Sequence, residues 1–151
     1  MAIHFEHTIE LPQPPGKVFA TLDDVSQTPK WLARCTGIEV LTPGPVHVGT
    51  KLRYSYKDGG RSGTMDGQIV ERMPGQKLVY DYEDKMMRAG IQFTTEPAGS
   101  GTRLTHTIDL TPRSLLTKLA SPLIRKQLPK QTITAMESLR ALLASRPAAK
   151  A

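Results

Sequence analysis

Residues 77–110 read KLVYDYEDKMMRAGIQFTTEPAGSGTRLTHTIDL, and this stretch decides the fold class. Apolar and polar side chains alternate over Lys77–Glu83, residues 86–96 and residues 102–110, and a period of two is typical of half-buried β-strands. Turn residues separate the strands, as in Pro97-Ala98-Gly99-Ser100-Gly101. Strands joined by such short connections must be antiparallel neighbours, because parallel pairing requires a long crossover. The stretch therefore predicts an antiparallel meander.

The chain upstream of this stretch extends the same sheet. Similar patterns predict four further strands, at Ile3–Leu11, residues 38–42, residues 50–57 and Arg61–Met73. Asp58-Gly59 is a hairpin turn signal between the last two of them. After the first strand, apolar spacing and nearby prolines predict two short helices, at residues 16–23 and 29–33.

The C-terminal segment changes to helical spacing, with apolar residues recurring at short intervals from Leu115 to Leu143. Pro122 and Pro129 each remove a backbone donor, so we expect an irregular helical approach and then a regular helix over residues 130–145. Residues 146–151 are expected to form a frayed tail, and residues 1–151 a single domain. An alternating sheet has one face that needs cover, and only this helix is long enough to cover it. One helix cannot fill a curved face of seven strands, so the sequence predicts an α+β domain with a cavity between sheet and helix.

The composition indicates where such a domain works. The chain has 151 residues, a formal net charge of +6 and one cysteine, Cys35. A lone cysteine forms no internal disulfide, which favours a reducing compartment, and the N-terminus lacks the basic and apolar regions of a secretory signal. No apolar run approaches the roughly 18 residues of a membrane span. We therefore expect a cytoplasmic protein without integral membrane association.

Several kinds of site are disfavoured by the spacing of their residues. The four histidines have no metal-ligand spacing, so we expect no metal, and no cofactor is indicated. The glycine-rich residues 59–63 lack the lysine and following helix of a phosphate loop. There is no helix-turn-helix pattern and aromatic residues make up only 5% of the chain, which argues against nucleic acid as a partner.

Basic residues are concentrated in the last quarter of the chain, where Glu137 is the only acid. They are Arg113, Lys118, Arg125, Lys126, Lys130, Arg140, Arg146 and Lys150. A basic helix face is usually a solvated face. The alternative is attraction towards an acidic partner or an anionic membrane surface, in which case charge reversal at Arg125 and Lys126 would matter.

The inward faces of the strands supply candidate ligand contacts. The predicted ligand-binding residues are His7, Trp31, Tyr54, Tyr56, Tyr80, Tyr82, Met87, Ile91, Phe93, His106 and Met136. Tyrosine and histidine combine a ring with a polar end, which suits a ligand wall. His7, His106 and Tyr80 are in addition candidate catalytic groups for proton transfer. For each of these residues, core packing is the alternative interpretation.

Four residues carry further expectations about the core. Trp31, the only tryptophan, is expected to plug one end of the core or to gate the cavity. Cys35 is expected to be a buried and inert thiol. Gly63 and Gly67 leave room on their strand for a ligand or a bulge.

The order of the elements resembles the START-like superfamily, also described as SRPBCC or helix-grip proteins and as the polyketide cyclase/dehydrase and lipid transport family. The segments that carry the resemblance are Ile9-Glu10-Leu11-Pro12 with Val18-Phe19, Pro29-Lys30-Trp31-Leu32, Val48-Gly49-Thr50, Gly101-Thr102-Arg103-Leu104-Thr105 and Leu139-Arg140-Ala141-Leu142-Leu143. The resemblance implies a helix-grip fold, in which a curved seven-stranded antiparallel sheet surrounds a long C-terminal helix. It also implies an apolar pocket, without implying a particular reaction.

Three functions follow from these observations as hypotheses. The first is binding of a hydrophobic or aromatic small molecule, lipid or polyketide-like, in the cavity. The second is a cyclase or dehydratase that uses histidine and tyrosine in the pocket as acid–base groups. The third is a basic adaptor for an acidic partner or a membrane surface. The sequence leaves a homodimer open and does not identify the ligand.

Overall fold

A single antiparallel sheet of seven strands forms the framework of the computed structural model, which describes residues 2–58 and 60–145. The strands are β1 (Ile3–Leu11), β2 (Cys35–Val40), β3 (Lys51–Asp58), β4 (Arg61–Met73), β5 (Lys77–Glu83), β6 (Met87–Ala98) and β7 (Gly101–Pro112). The helices are α1 (Pro15–Asp23), α2 (Thr28–Trp31) and α3 (Leu115–Ala144), with a 3₁₀ turn at Val25–Gln27. The predicted helix-grip architecture, including the two short helices after the first strand, is confirmed.

The strand order is β1-β7-β6-β5-β4-β3-β2, so β2 to β7 form a continuous meander. β1 joins the sheet by pairing with β7, in a register that sets Ile3 opposite Leu110 and Leu11 opposite Thr102. The same register places His7 directly opposite His106, with both side chains on one face of the sheet. β1 and β2 are the two edges of this order.

The predicted strand boundaries agree with the observed ones to within two residues, except at β2. The predicted strand covers residues 38–42, whereas β2 begins at Cys35 and ends at Val40. Cys35 pairs with Tyr56 and Gly37 pairs with Ser55, so the intervening residue forms a bulge. This bulge interrupts the alternation, which hides the start of the strand from a pattern with a period of two.

The prediction that the prolines interrupt the last helix is wrong, because α3 runs continuously from Leu115 to Ala144 through Pro122 and Pro129. The first turn is fixed by a capping box, in which the Ser114 hydroxyl accepts from the Thr117 backbone amide. Each proline frees the carbonyl four residues earlier, at Lys118 and Arg125. Both of these residues are exposed, so water can replace the lost hydrogen bonds.

The two halves of α3 pack differently. The buried residues of the helix are Leu128, Thr132, Ala135, Met136, Leu139 and Leu143. All of them except Leu128 belong to the second half, where the helix packs on the sheet and contributes to the main apolar core; Leu128, just before the midpoint, packs in a smaller cluster with Ile3 and Ile108. None of residues 115–127 is buried. The sheet is therefore filled at one end and less completely covered at the other.

An ion pair fixes α1 to the sheet. The Arg72 guanidinium donates two hydrogen bonds to the Asp23 carboxylate, at 3.0 and 2.7 Å. Both side chains are partly buried, and the guanidinium also lies 5.8 Å from the centre of the Phe19 ring. The pair joins the end of α1 to β4.

The sequence also predicts a frayed C-terminal tail and no membrane-spanning helix. The predicted frayed tail, residues 146–151, lies outside the described residues. Among residues 2–58 and 60–145, no helix has the length and apolar character needed to cross a membrane.

Candidate functional site

A cavity of about 370 Å³ lies between the inner face of the sheet and the first half of α3. Its position follows from the packing of α3, which leaves the sheet incompletely covered before Leu128. Most of the side chains around it are aliphatic or aromatic. They are Leu22, Val25, Thr28, Trp31, Leu32, Arg34, Ile38, Tyr54, Tyr56, Met65, Tyr80, Tyr82, Asp84, Met86, Met87, Ala89, Ile91, Phe93, His106, Ile108, Leu110, Thr117, Ile124, Gln127, Leu128 and Gln131.

Nine of the predicted ligand-binding residues line this cavity. They are Trp31, Tyr54, Tyr56, Tyr80, Tyr82, Met87, Ile91, Phe93 and His106. His7 and Met136 lie outside the lining. His7 is on the edge strand β1, half-buried, with its ring 6.3 Å from that of Phe5. Met136 is completely buried in the core beneath the second half of α3.

The four tyrosines form one wall of the cavity on β3 and β5. The Tyr80 and Tyr82 rings stack with their centres 5.7 Å apart, and the Tyr54 ring lies 5.3 Å from that of Tyr82. Tyr54 and Tyr56 are stacked at 6.3 Å. Aromatic pairs at such separations stabilise each other beyond simple burial. The wall is therefore a preformed aromatic surface.

Two glycines of β4 accommodate this wall. Gly67 is paired with Tyr82 and Gly63 with Tyr56 across the neighbouring strands. A Cβ atom at Gly67 would lie 2.2 Å from the Tyr82 ring, and one at Gly63 would lie 2.7 Å from the Tyr56 hydroxyl oxygen. The space predicted for a ligand or a bulge is thus occupied by tyrosine rings. The bulge of β4 lies further on, between Ile69 and Glu71.

A second aromatic group closes the side of the cavity formed by α2, β6 and β7. The rings of Trp31 and Phe93 meet edge to face at 5.9 Å, and those of Phe93 and His106 stack at 4.4 Å. Burial, with a smaller contribution from His7, lowers the pKa of His106 to about 3. His106 is therefore a neutral imidazole at physiological pH.

Several buried polar atoms of the lining residues have no hydrogen-bond partner among the described residues. They are the Trp31 indole nitrogen, the Tyr80 hydroxyl and both ring nitrogens of His106. Each of the three side chains is at least nine-tenths buried. Leaving such a group unpaired costs about 1–3 kcal/mol, which a hydrogen-bonding ligand would recover. Burial also raises the pKa of Tyr80, assisted by the charge of Asp23, so its hydroxyl remains a donor.

The cavity includes residues that the sequence reasoning missed. Thr117, Ile124, Leu128 and Gln131 line it from α3. Their spacing of seven, four and three residues places them on one side of the helix. This periodicity is present in the sequence, but Leu128 lies between Pro122 and Pro129, where we expected irregular structure.

Cys35 lines neither wall of the cavity. It is buried at the start of β2, and burial raises the pKa of its thiol to about 11, opposed weakly by a backbone hydrogen bond from Gly37. A thiol with so high a pKa is a poor nucleophile at neutral pH, which agrees with the expected inert role.

The sequence of residues 2–144 matches the family described as polyketide cyclase / dehydrase and lipid transport. The chain belongs to this family. The match extends from before β1 to the last residue of α3, so the family covers the whole helix-grip fold. No curated protein matches the sequence significantly.

Solved structures show the same fold at low sequence identity. The Zhui aromatase/cyclase from Streptomyces sp. R1128 is 16% identical with a TM-score of 0.83, over 99% of this chain and 98% of that chain. A START superfamily protein from Mycobacterium smegmatis is 15% identical with a TM-score of 0.78, over 93% and 97% of the two chains. The protein Ara h 8.0201 is 16% identical with a TM-score of 0.71, over 97% of this chain and 100% of that chain. At identities of 15–16%, the similarity shows that these proteins share the fold of this family member and carries no further conclusion.

Proposed function

We propose that this family member binds a hydrophobic or aromatic small molecule, lipid or polyketide-like, in the cavity between the sheet and α3. The observation that carries the proposal is the set of unpaired polar atoms on Trp31, Tyr80 and His106, three residues that line a mainly apolar cavity of about 370 Å³. Small-molecule sites are commonly apolar cavities of about 300–1,000 Å³ with a few polar groups that fix orientation. The single buried cysteine fits a cytoplasmic, reducing location.

The shape of the lining favours a flat ligand. The tyrosine wall on β3 and β5 and the Trp31–Phe93–His106 group present ring faces and edges from different sides of the cavity. Burial of apolar ligand surface would contribute roughly 25 cal/mol per Å². The Tyr80 hydroxyl can donate to a carbonyl or phenol oxygen, and His106 can donate from one nitrogen and accept at the other. Such a combination fits a polycyclic aromatic compound with oxygen substituents.

The uptake of an apolar probe tests the cavity itself. Ala89 is buried and lines the cavity, so Ala89→Phe would place a ring in the open space. We expect this variant to bind 1-anilinonaphthalene-8-sulfonate at least about tenfold more weakly than the original protein, because the ring removes apolar volume from the site. The measurement is a fluorescence titration of the probe.

The matched control is Val70→Phe, at the exposed bulge of β4. It adds the same ring outside the cavity and should leave probe binding unchanged. Equal probe affinity in Ala89→Phe and the original protein, with the far-UV circular dichroism of the fold retained, would contradict the proposal. In a separate experiment, native mass spectrometry of the purified protein, followed by denaturing extraction, would identify any natural passenger.

An acid–base enzyme is the second candidate, because His106 and Tyr80 lie in the same cavity. Efficient general acids and bases have pKa values near the working pH. Burial instead lowers the pKa of His106 to about 3 and raises the pKa of Tyr80, which moves both away from neutrality. The pKa directions therefore favour binding over proton transfer.

The substitution His106→Gln separates the two candidates. Glutamine retains a donor and an acceptor but cannot carry a proton between pH 5 and 8. For a binding protein, we expect the affinity for the extracted passenger to remain within about tenfold. For a cyclase or dehydratase, turnover of that compound would fall by about 100-fold or more, as measured by chromatography of the products.

A further inference from the structure

The outer face of the first half of α3 carries four exposed leucines. Leu115 is 74% exposed, Leu116 52%, Leu119 72% and Leu123 56%. Leu115, Leu119 and Leu123 are four residues apart and so form one row along the helix, with Leu116 beside it. We call these four residues the leucine face. Contiguous exposed apolar patches of this kind usually mark an interaction surface.

Basic residues lie beside the leucine face. Lys118, Arg125 and Lys126 are exposed on the same segment, and Lys126 continues the row of Leu119 and Leu123 by one turn. None of these three cations forms an ion pair within the part of the chain that the structure describes. There is no acidic residue in α3 before Glu137. The segment thus combines apolar side chains with unneutralised positive charge.

The opposite side of this segment borders the cavity. Thr117, Ile124 and Gln127 line the cavity, and the Thr117 hydroxyl donates to the Met86 carbonyl oxygen at 2.7 Å. Met86 belongs to the turn between β5 and β6 and also lines the cavity. The leucine face and the cavity are therefore two sides of one helical segment.

We propose that the leucine face docks on an anionic lipid bilayer, with the leucines inserted below the head groups and Lys118, Arg125 and Lys126 at the level of the lipid phosphates. An amphipathic helix with leucines on one side and cations beside them is the arrangement that lies in a membrane interface. Each cation close to an anionic surface raises the affinity about fivefold. The docked segment would hold the cavity within reach of the bilayer.

Charge complementarity favours a membrane over a second copy of the chain. In a two-fold dimer each leucine face would meet another, so that Lys118, Arg125 and Lys126 would approach the same cations of the other copy. No acid lies on this segment to compensate them. Like charges that face each other across an interface oppose association. An anionic bilayer neutralises the same cations.

Vesicle flotation with the full chain tests the proposal. We expect the protein to float with phosphatidylcholine vesicles that contain about one-third phosphatidylglycerol, and to remain unbound with pure phosphatidylcholine. Leu119→Ser combined with Leu123→Ser should lower the partition coefficient by at least about tenfold, because both side chains would be inserted. Lys118→Glu combined with Arg125→Glu and Lys126→Glu should lower it by about 100-fold or more.

Matched controls lie on the outer face of β3. Lys51, Arg53 and Lys57 are exposed there, and their reversal to glutamate changes the net charge by the same amount without touching α3. This control should still float at least tenfold better than the α3 triple variant. The altered leucines are exposed, so the variants should keep the circular dichroism of the original protein.

Three results would overturn the proposal. The first is no flotation with anionic vesicles, and the second is equal flotation of the original protein and the leucine variant. The third is a concentration-dependent dimer in analytical ultracentrifugation that the leucine variant abolishes, since the leucine face would then belong to a protein interface. Docking does not depend on the cavity, so Ala89→Phe should float like the original protein whether or not the proposed ligand binding holds.

Discussion

Gly67→Ala is expected to lower the free energy of unfolding by about 3 kcal/mol, because its methyl group would overlap a buried ring. The added Cβ would lie 2.2 Å from one carbon of the Tyr82 ring and 3.0 Å from the Asp81 carbonyl oxygen. Tyr82 cannot move aside freely, since it is stacked on Tyr80 and contacts Tyr54. Thermal unfolding should therefore occur about 6–12 °C lower, as measured by circular dichroism.

Gly90→Ala is the matched control for this prediction. Gly90 also lies in the interior of a strand, but a Cβ there would meet no atom closer than 3.9 Å. Its effect should stay within about 0.5 kcal/mol. If the ring overlap is the cause, Tyr82→Ala should remove most of the cost, so that Gly67→Ala and Tyr82→Ala together cost at least about 1.5 kcal/mol less than their sum. Strict additivity would contradict the explanation.

His106→Phe is expected to protect the protein against acid. The pKa of His106 is about 3 in the folded protein, against an ordinary value of 6.5. Below pH 6.5 the unfolded chain takes up a proton that the folded state refuses, so stability is complete above this pH and falls as the pH decreases towards 3. Between pH 7 and pH 4 this group alone should cost about 3 kcal/mol. Phenylalanine retains the stacking on Phe93 and removes the titration.

Urea unfolding at pH 7 and pH 4 measures this difference. The original protein should lose about 3 kcal/mol more stability between the two pH values than His106→Phe does. His4→Gln serves as the control. His4 is exposed, and its hydrogen bond to Asp109 raises its pKa. Protonation of His4 therefore favours the folded state as the pH falls, which is the opposite of the effect at His106. The control should therefore retain the acid sensitivity. Equal acid losses in the original protein and His106→Phe would contradict neutral burial of His106.

The strands were predictable because the chemistry that positions them is local. β4 and β5 begin and end at the predicted residues, since Pro74-Gly75 separates the two strands and alternation fixes their faces. The bounds of β2 were not predictable, because a bulge near Gly37 breaks the alternation. The continuity of α3 through its prolines depends on which side of the helix faces water, and this side is set by tertiary packing.

The sequence predicts which face of the sheet a side chain lies on, but it predicts less well which of these side chains line the cavity. Tyr80 and His106 point inwards because of strand alternation, which the sequence displays. His7 shares that face, but its strand lies at the edge of the sheet, outside the lining. Met136 lies on the apolar side of α3, in the half that packs tightly. The depth to which one helix fills a curved sheet depends on packing between distant residues, which no local pattern encodes.

The pairing of β1 with β7 has a consequence for the way the chain folds as it is made. β2 to β7 can pair in the order of their synthesis, because each strand lies beside the previous one. β1 leaves the ribosome first, yet its neighbour in the described sheet is produced only after all the others. Until then, the apolar side chains of Ile3, Ile9 and Leu11 lack their native cover, and joining the two strands closes a long loop. The first strand to be synthesised is therefore expected to be the last to enter the sheet.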